Sequence, residues 1–219
     1  MKTRAIILSA IVTVGLFSCK KNVDSVSISN AGLDFQLRAT NPSSVVERTS
    51  ATITWEAGFV NANLIKFEAR QNGQETEFKS NVQKHVDLFG TLSTIGTINL
   101  PTGTFDEVEF KIVAAPNGNE PALQLQGSVN GVPVVLRVDN TLEIKSEQSQ
   151  VTLGGADVAL NTMNLSQLTF GLSADDFANA TQTNGTIVIS SSSNQNLFND
   201  ILANFQKHHE TEVEVHHHH

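Results

Sequence analysis

From Val26 onward, apolar residues recur at every second position in short runs, and turn-forming residues interrupt those runs at close intervals. Alternation of that period marks half-buried strands. In "AGLDFQLRAT", Leu33, Phe35, Leu37 and Ala39 fall on one face, and Asp34, Gln36 and Arg38 on the other. "ATITWEAGF" aligns Ile53, Trp55, Ala57 and Phe59 in the same way, and Trp55 is expected between sheets as a core side chain rather than as an open ligand platform.

Two asparagine-glycine pairs predict hairpins, because that dipeptide accepts the positive φ angles of a two-residue type I′ turn. Around Asn130-Gly131, such a loop opposes Val129 to Val132, Gly127 to Val134, Leu125 to Leu136 and Leu123 to Val138. A slip of one residue would turn Gln124, Gln126 and Arg137 inward. Pro133, opposite Ser128, lacks a donor and predicts an edge or bulge at that point. Around Asn72-Gly73, the same construction opposes Ala69 to Thr76 and Phe67 to Phe78.

Between the hairpins, Pro101 and Gly103 mark a turn. Val108, Phe110 and Ile112 then point one way, and Glu107, Glu109 and Lys111 the other. "TLEIK", "QLTFGLS" and "GTIVIS" read as further short alternating runs. Two stretches depart from this period. "SADDFANAT" predicts a helical turn capped by Ser173, with Asp175 and Asp176 at its positive end. "SNQNLFNDILANFQKHH" places Leu197, Phe198, Ile201, Leu202 and Phe205 on one helical face, which predicts a helix covering part of the sheets. The expected fold is all-β, an antiparallel β-sandwich with a short C-terminal helix.

The first residues follow different rules. Lys2 and Arg4 precede the apolar run "AIILSAIVTVGLF", which is shorter than the roughly 20 residues needed to span a bilayer. A basic start, a short apolar middle and small residues at the exit form the layout of a secretory signal. "LFSC", Leu16 to Cys19, resembles the lipobox of bacterial lipoproteins. That resemblance implies cleavage after residue 18, a diacylglycerol thioether on Cys19 and an acylated new amino terminus. Two or more acyl chains hold a protein on a membrane stably, whereas one holds it marginally. Cys19 is the only cysteine, so a lipidated chain has no thiol left for a disulfide or a thiolate metal site.

The expected organisation is therefore a lipoprotein signal at 1–18, a lipidated tether at 19–25 and a sandwich at 26–193. A helix at 194–209 and a histidine-rich tail at 210–219 complete it. A subdivision of the sandwich near 146–150 stays open. The segments "ITWEAGFVNANLIKFEA", "VDLFGTLSTIGTINLPTGTFDEVEFKIV" and "VVLRVDNTLEIKSE", from Ala51 to Ser146, resemble a lipoprotein domain family of unknown function. That family occurs in Bacteroidetes and other bacteria, and its members are sometimes grouped with carbohydrate-binding-like sandwiches. The resemblance implies a prealbumin-like sandwich lipid-anchored in the cell envelope, at the outer membrane, with no catalytic residues to carry over.

The formal net charge is -8, and removal of Lys2 and Arg4 with the leader makes it two units more negative. Such a surface, without a basic cluster, repels phosphate backbones, so nucleic acid is not expected as a partner. No G-x-S-x-G, H-E-x-x-H, P-loop or paired C-x-x-C occurs. His85 is the one histidine before the terminal cluster and is expected to be a surface or loop residue. Glu107 and Glu109, alternate residues on one strand face, have the spacing of a carboxylate pair, but with Lys111 after them they read as a solvated face. Asp175, Asp176 and Asn179 could meet a calcium ion, although no EF-hand-like loop supports them and helix-start acidity explains them.

His208, His209, His216, His217, His218 and His219 crowd the last twelve residues and form a weak candidate site for zinc, nickel or copper. An engineered tag and a run without consequence are the competing explanations. The expectation is a non-enzymatic, membrane-tethered protein presenting a ligand- or partner-binding sandwich, with a glycan or a protein as its partner. A structural surface or fimbria-like assembly component and a metal-gathering lipoprotein are the alternatives.

Overall fold

The computed structural model describes residues 30–41, 53–71, 73–207 and 212–217. The proposed signal, Cys19 and most of the tail histidines lie outside them. Among the described residues no helix is long and apolar enough to cross a membrane.

The frame is one long strand, β2 (Thr54–Gln71), whose eighteen residues extend about 60 Å at ~3.3 Å each. Along one flank β2 pairs with β3 (Gln74–Asp87). Along the other it changes partner midway, meeting β6 (Leu123–Val129) from Thr54 to Val60 and β5 (Gly103–Ala114) from Ala62 to Arg70. Asn61 holds the changeover: its N–H donates to the Ala122 carbonyl, and its own carbonyl accepts from Ala115. Beyond β5 lies β8 (Leu142–Leu153), and beyond β6 lie β7 (Val132–Val138), β11 (Thr186–Ile189) and β10 (Gln182–Thr183).

A second sheet has the order β12 (Glu212–His217), β9 (Ala156–Asn164), β1 (Asn30–Thr40) and β4 (Gly96–Pro101). It covers the β5 half of the large sheet, where Phe35 of β1 meets Phe110 of β5 edge to face with ring centroids 5.9 Å apart. Phe67 meets Phe105 and Phe110 the same way, each at 5.4 Å. Near β11 the covering is helical: beyond the short α1 (Ala174–Ala178), α2 (Gln195–Lys207) packs on β11 and on the 3-10 turn Leu165–Thr169. Leu197, Phe198, Ile201 and Phe205 are buried, as the helical spacing predicted, and Leu202 is partly buried. A single apolar core runs beneath both coverings.

The sandwich is thus as the alternation predicted, with one refinement. β1 with β9 and β7 with β11 pair in parallel, while the remaining described pairings are antiparallel. The β6–β7 register matches expectation pair for pair from Val129·Val132 to Leu123·Val138. Asn130 and Gly131 take φ of 50° and 80°, the signs a type I′ turn needs. In the other hairpin Ala69 faces Thr76 and Phe67 faces Phe78. Its Asn72 lies outside the described residues.

Three expectations differ from the structure. The alternation in "ATITWEAGF" holds for Ile53 and Trp55 but not beyond, because a bulge between Trp55 and Ala57 adds one residue and inverts the faces. Val60 and Ala62 enter the core in place of Ala57 and Phe59. "QLTFGLS" forms no strand; it closes the 3-10 turn, with the Asn164 side chain accepting from Ser166 N–H. The turn expected at Pro101 and Gly103 is present between β4 and β5, where it carries the chain from one sheet to the other. Residues 212–217, read as tail, form β12 and extend the second sheet through an antiparallel pairing with β9. β8 runs unbroken across residues 146–150, with Gln150 at a φ of 54°.

Candidate functional site

Residues on the outer face of β3, β2, β5 and β8 are set by three registers. Lys79 faces Lys66, Lys66 faces Lys111, and Lys111 faces Lys145. One step along the strands, Glu77, Glu68, Glu109 and Glu147 stand in the same succession. A third row runs Glu75, Arg70, Glu107 and Ser149. Four strands thus carry a stripe of ammonium groups beside a stripe of carboxylates, both perpendicular to the chain direction.

Like charges directly opposite each other destabilise a sheet. Here side chains lean along the strands and pair between stripes. Lys111 Nζ lies 2.7 Å from Glu68 Oε2 and 3.2 Å from Glu109 Oε1. Lys145 reaches Glu109 at 3.6 Å and Glu143 at 3.5 Å, Lys79 reaches Glu77 at 3.2 Å, and Lys66 reaches Glu77 at 3.8 Å. Arg70 bridges Glu75 at 2.6 Å and Glu107 at 3.2 Å. Glu147 has no ion-pair partner among the described residues.

Burial grades this lattice from centre to edge: the Lys111 side chain is 12% exposed and that of Lys79 63%. Desolvation alone would lower the Lys111 pKa, but hydrogen bonds and charge from Glu68 and Glu109 together raise it above its ordinary value. The hydrogen bond and charge of Lys79 hold Glu77 below the usual carboxylate range. Six glutamates and Arg70 line a shallow open concavity of about 450 Å3 over this face.

Glu107 and Glu109 therefore do share a face, and each is tied to a cation. The expected ionic face is present, open at Glu107 and half-buried at Glu109 beside Lys111. Near the β5–β6 changeover, His85 stacks on Phe59 with centroids 4.4 Å apart, and its Nδ1 is 3.2 Å from Glu120 Oε2. Asn61, opposite His85, is 4% exposed and donates through Nδ2 to the Pro121 carbonyl at 2.9 Å and to Glu120 at 3.2 Å. No hydroxyl of the described residues bonds to His85. Asn61 stands beside His85 through the β2–β3 register, and Glu120 joins the pair from the loop after β5, which folds back over β2.

Asp176 is engaged in a capping box with Ser173, whose hydroxyl and backbone N–H hold its carboxyl below the usual range. Asp176, Asn179 and Asp200 border a concavity of about 400 Å3, to which Asp175 does not contribute. Among the described residues no group of three or more histidine, cysteine or acidic side chains is arranged to hold a metal ion. Of the tail histidines, His216 lies near Glu214 at 3.1 Å, and His217 Nδ1 meets the buried Asp157 at 2.5 Å. Asp157 also accepts from the Gly154 N–H at 3.0 Å, so it ties β12 to the turn between β8 and β9. His208, His209, His218 and His219 lie outside the described residues.

Trp55 is 3% exposed and sits in the core, so it offers no ring to a sugar. No family model, curated protein or solved structure matches this chain.

Proposed function

We propose that this protein is a lipid-tethered, non-catalytic binding module of the bacterial cell envelope, and that a macromolecular partner meets the striped face of β3, β2, β5 and β8. The tether rests on the lipobox-like "LFSC" around Cys19 and the basic and apolar residues before it. The partner-binding reading rests on one observation, the two opposed charge stripes held at fixed register on a rigid sheet. Ordered charges of this kind select and orient a partner more than they tighten it.

A protein surface suits the face better than a glycan. Sugars stack on open aromatic rings, and Trp55 is enclosed, whereas ion stripes find their complement in charged side chains. The carboxylates Glu107 and Glu109 serve as ion-pair partners in this reading, not as acid and base.

Two experiments test the two parts. Cells fed labelled palmitate should label the wild type and not Cys19→Ala, which should leave the membrane fraction; an unlabelled wild type removes the tether. A photo-crosslinking side chain at position 147 should capture protein in intact cells. The same group at Gln126, on the outer face of the β6 half, should not; the reverse pattern would place the partner elsewhere.

A further inference from the structure

We propose that the partner of the striped face is a second copy of this chain, docked face to face across a two-fold axis. The axis runs parallel to the stripes, between the lysine row and the glutamate row. The proposal rests on the partner-binding reading above and names the partner.

The geometry follows from symmetry alone. Rotation about that axis keeps each strand at its place along the row and reverses the order of the rows. Each strand then faces its own counterpart, running in the opposite direction. Lys79, Lys66, Lys111 and Lys145 of one copy stand over Glu77, Glu68, Glu109 and Glu147 of the other, and the reverse holds as well. Such a contact is isologous and closes on itself, so it ends at a dimer.

Two observations favour this occupant. Opposed stripes on one face are complementary to the same face turned over, whereas a uniformly basic or acidic partner would meet repulsion at one stripe. Glu147, the one glutamate of its row without a cation in its own chain, would stand over Lys145 of the second copy. Four strands about 4.8 Å apart and the two facing rows, with the row outside each, give a contact of several hundred Å2 per copy at most, on the order of the smallest specific interfaces. The dimer is therefore weak and salt-sensitive. Its ion pairs lie well within the Debye length of about 10 Å at 0.1 M salt, while the net repulsion between two acidic chains acts over longer distances.

Sedimentation velocity of the full chain in a mild non-ionic detergent, over a range of concentrations, tests this. Wild type should form a dimer near ~0.1 M NaCl and lose roughly tenfold or more in affinity at ~0.5 M. Lys79→Glu with Lys145→Glu makes the outer ends of the basic stripe acidic. Glu77→Lys with Glu147→Lys does the converse. Neither variant should associate with itself, and an equimolar mixture should restore the dimer at wild-type affinity within about threefold.

Circular dichroism and thermal melts establish that both variants are folded. Should either fail to fold, the neutral pairs Lys79→Gln with Lys145→Gln and Glu77→Gln with Glu147→Gln replace them, each expected to weaken wild-type dimerisation about tenfold. A wild type monomeric up to ~1 mM at low salt, a charge-reversed variant that dimerises as wild type does, or a mixture that stays monomeric overturns the proposal. If crosslinks from position 147 then lead to a different protein, the binding reading survives and only the identity of the partner falls.

Discussion

The two asparagine-glycine hairpins begin alike and end in different physical situations. Counting inward from each turn, Gly127·Val134 corresponds to Ala69·Thr76, Leu125·Leu136 to Phe67·Phe78, and Leu123·Val138 to Ile65·Ser80. In the β6–β7 hairpin both strands have a further neighbour, and every inward member of the later pairs is buried. In the β2–β3 hairpin β3 is an edge: its partner positions are Thr76, which is exposed, and Phe78 and Ser80, which are only half-buried. Further along, Lys84 points inward from β3 and donates to the Thr94 carbonyl at 2.7 Å. Inward charge on an edge strand discourages pairing with a foreign strand. The same turn therefore builds a core ladder in one place and, in the other, a guarded edge whose outer face is left for ions.

The largest test of this contrast is a truncation at matched positions. Leu136→Ala should lower stability by about 2–5 kcal/mol, whereas Phe78→Ala, though it removes a larger ring, should lower it by about 1–2 kcal/mol because the ring is already half in water. Urea denaturation reads both; equal losses would mean that β3 is packed as tightly as β7. Next comes Gly127→Ala. Its Cβ would lie 2.2 Å from the Thr54 carbonyl oxygen and 2.9 Å from Trp55 Cα, both backbone atoms beside the bulge. A loss of about 2–3 kcal/mol is expected, and the corresponding position in the other hairpin is Ala69 already, with no such crowding.

Gly73→Ala and Gly131→Ala should behave alike, each losing about 1 kcal/mol, since both glycines have φ near 80° and open space around them. Unequal losses in urea would separate the turns themselves. The smallest effect belongs to the ionic face. Lys111→Met should cost less than about 1 kcal/mol at neutral pH. The Lys111 pKa is raised by its glutamates, so its contribution is complete below the ordinary value of 10.5 and fades as pH rises beyond it. Thermal melts should therefore show wild type and variant converging above about pH 10.5, in a chain with no tyrosine to titrate alongside.

Local signals carried the hairpins because each turn chemistry sets its own register: once Asn130-Gly131 is placed, every facing pair follows. The capping box at Ser173 and the helical stripe of α2 were readable for the same reason, being complete within a few residues. What stayed hidden depends on partners distant in the chain. Alternating charges stand in plain view in "LIKFEAR", "ETEFK", "EVEFK" and "EIKSE". Their alignment into stripes, however, needs the β2–β5 and β5–β8 registers, which no turn dictates. Glu56 looks like one more step of an alternating strand, yet the bulge there is imposed from across the sheet by the close approach of Gly127. Glu120 reaches His85 only through a loop excursion at the point where β2 changes partner.

β1 opens the described chain and yet lies in the interior of its sheet, held by β4 from Asn30 to Phe35 and by β9 from Gly32 to Thr40. A force arriving through the residues before Asn30 acts along that strand. Drawing β1 out along its own axis would break hydrogen bonds to neighbours on both of its flanks, so the strand nearest the proposed tether is also one of the more firmly held in the fold.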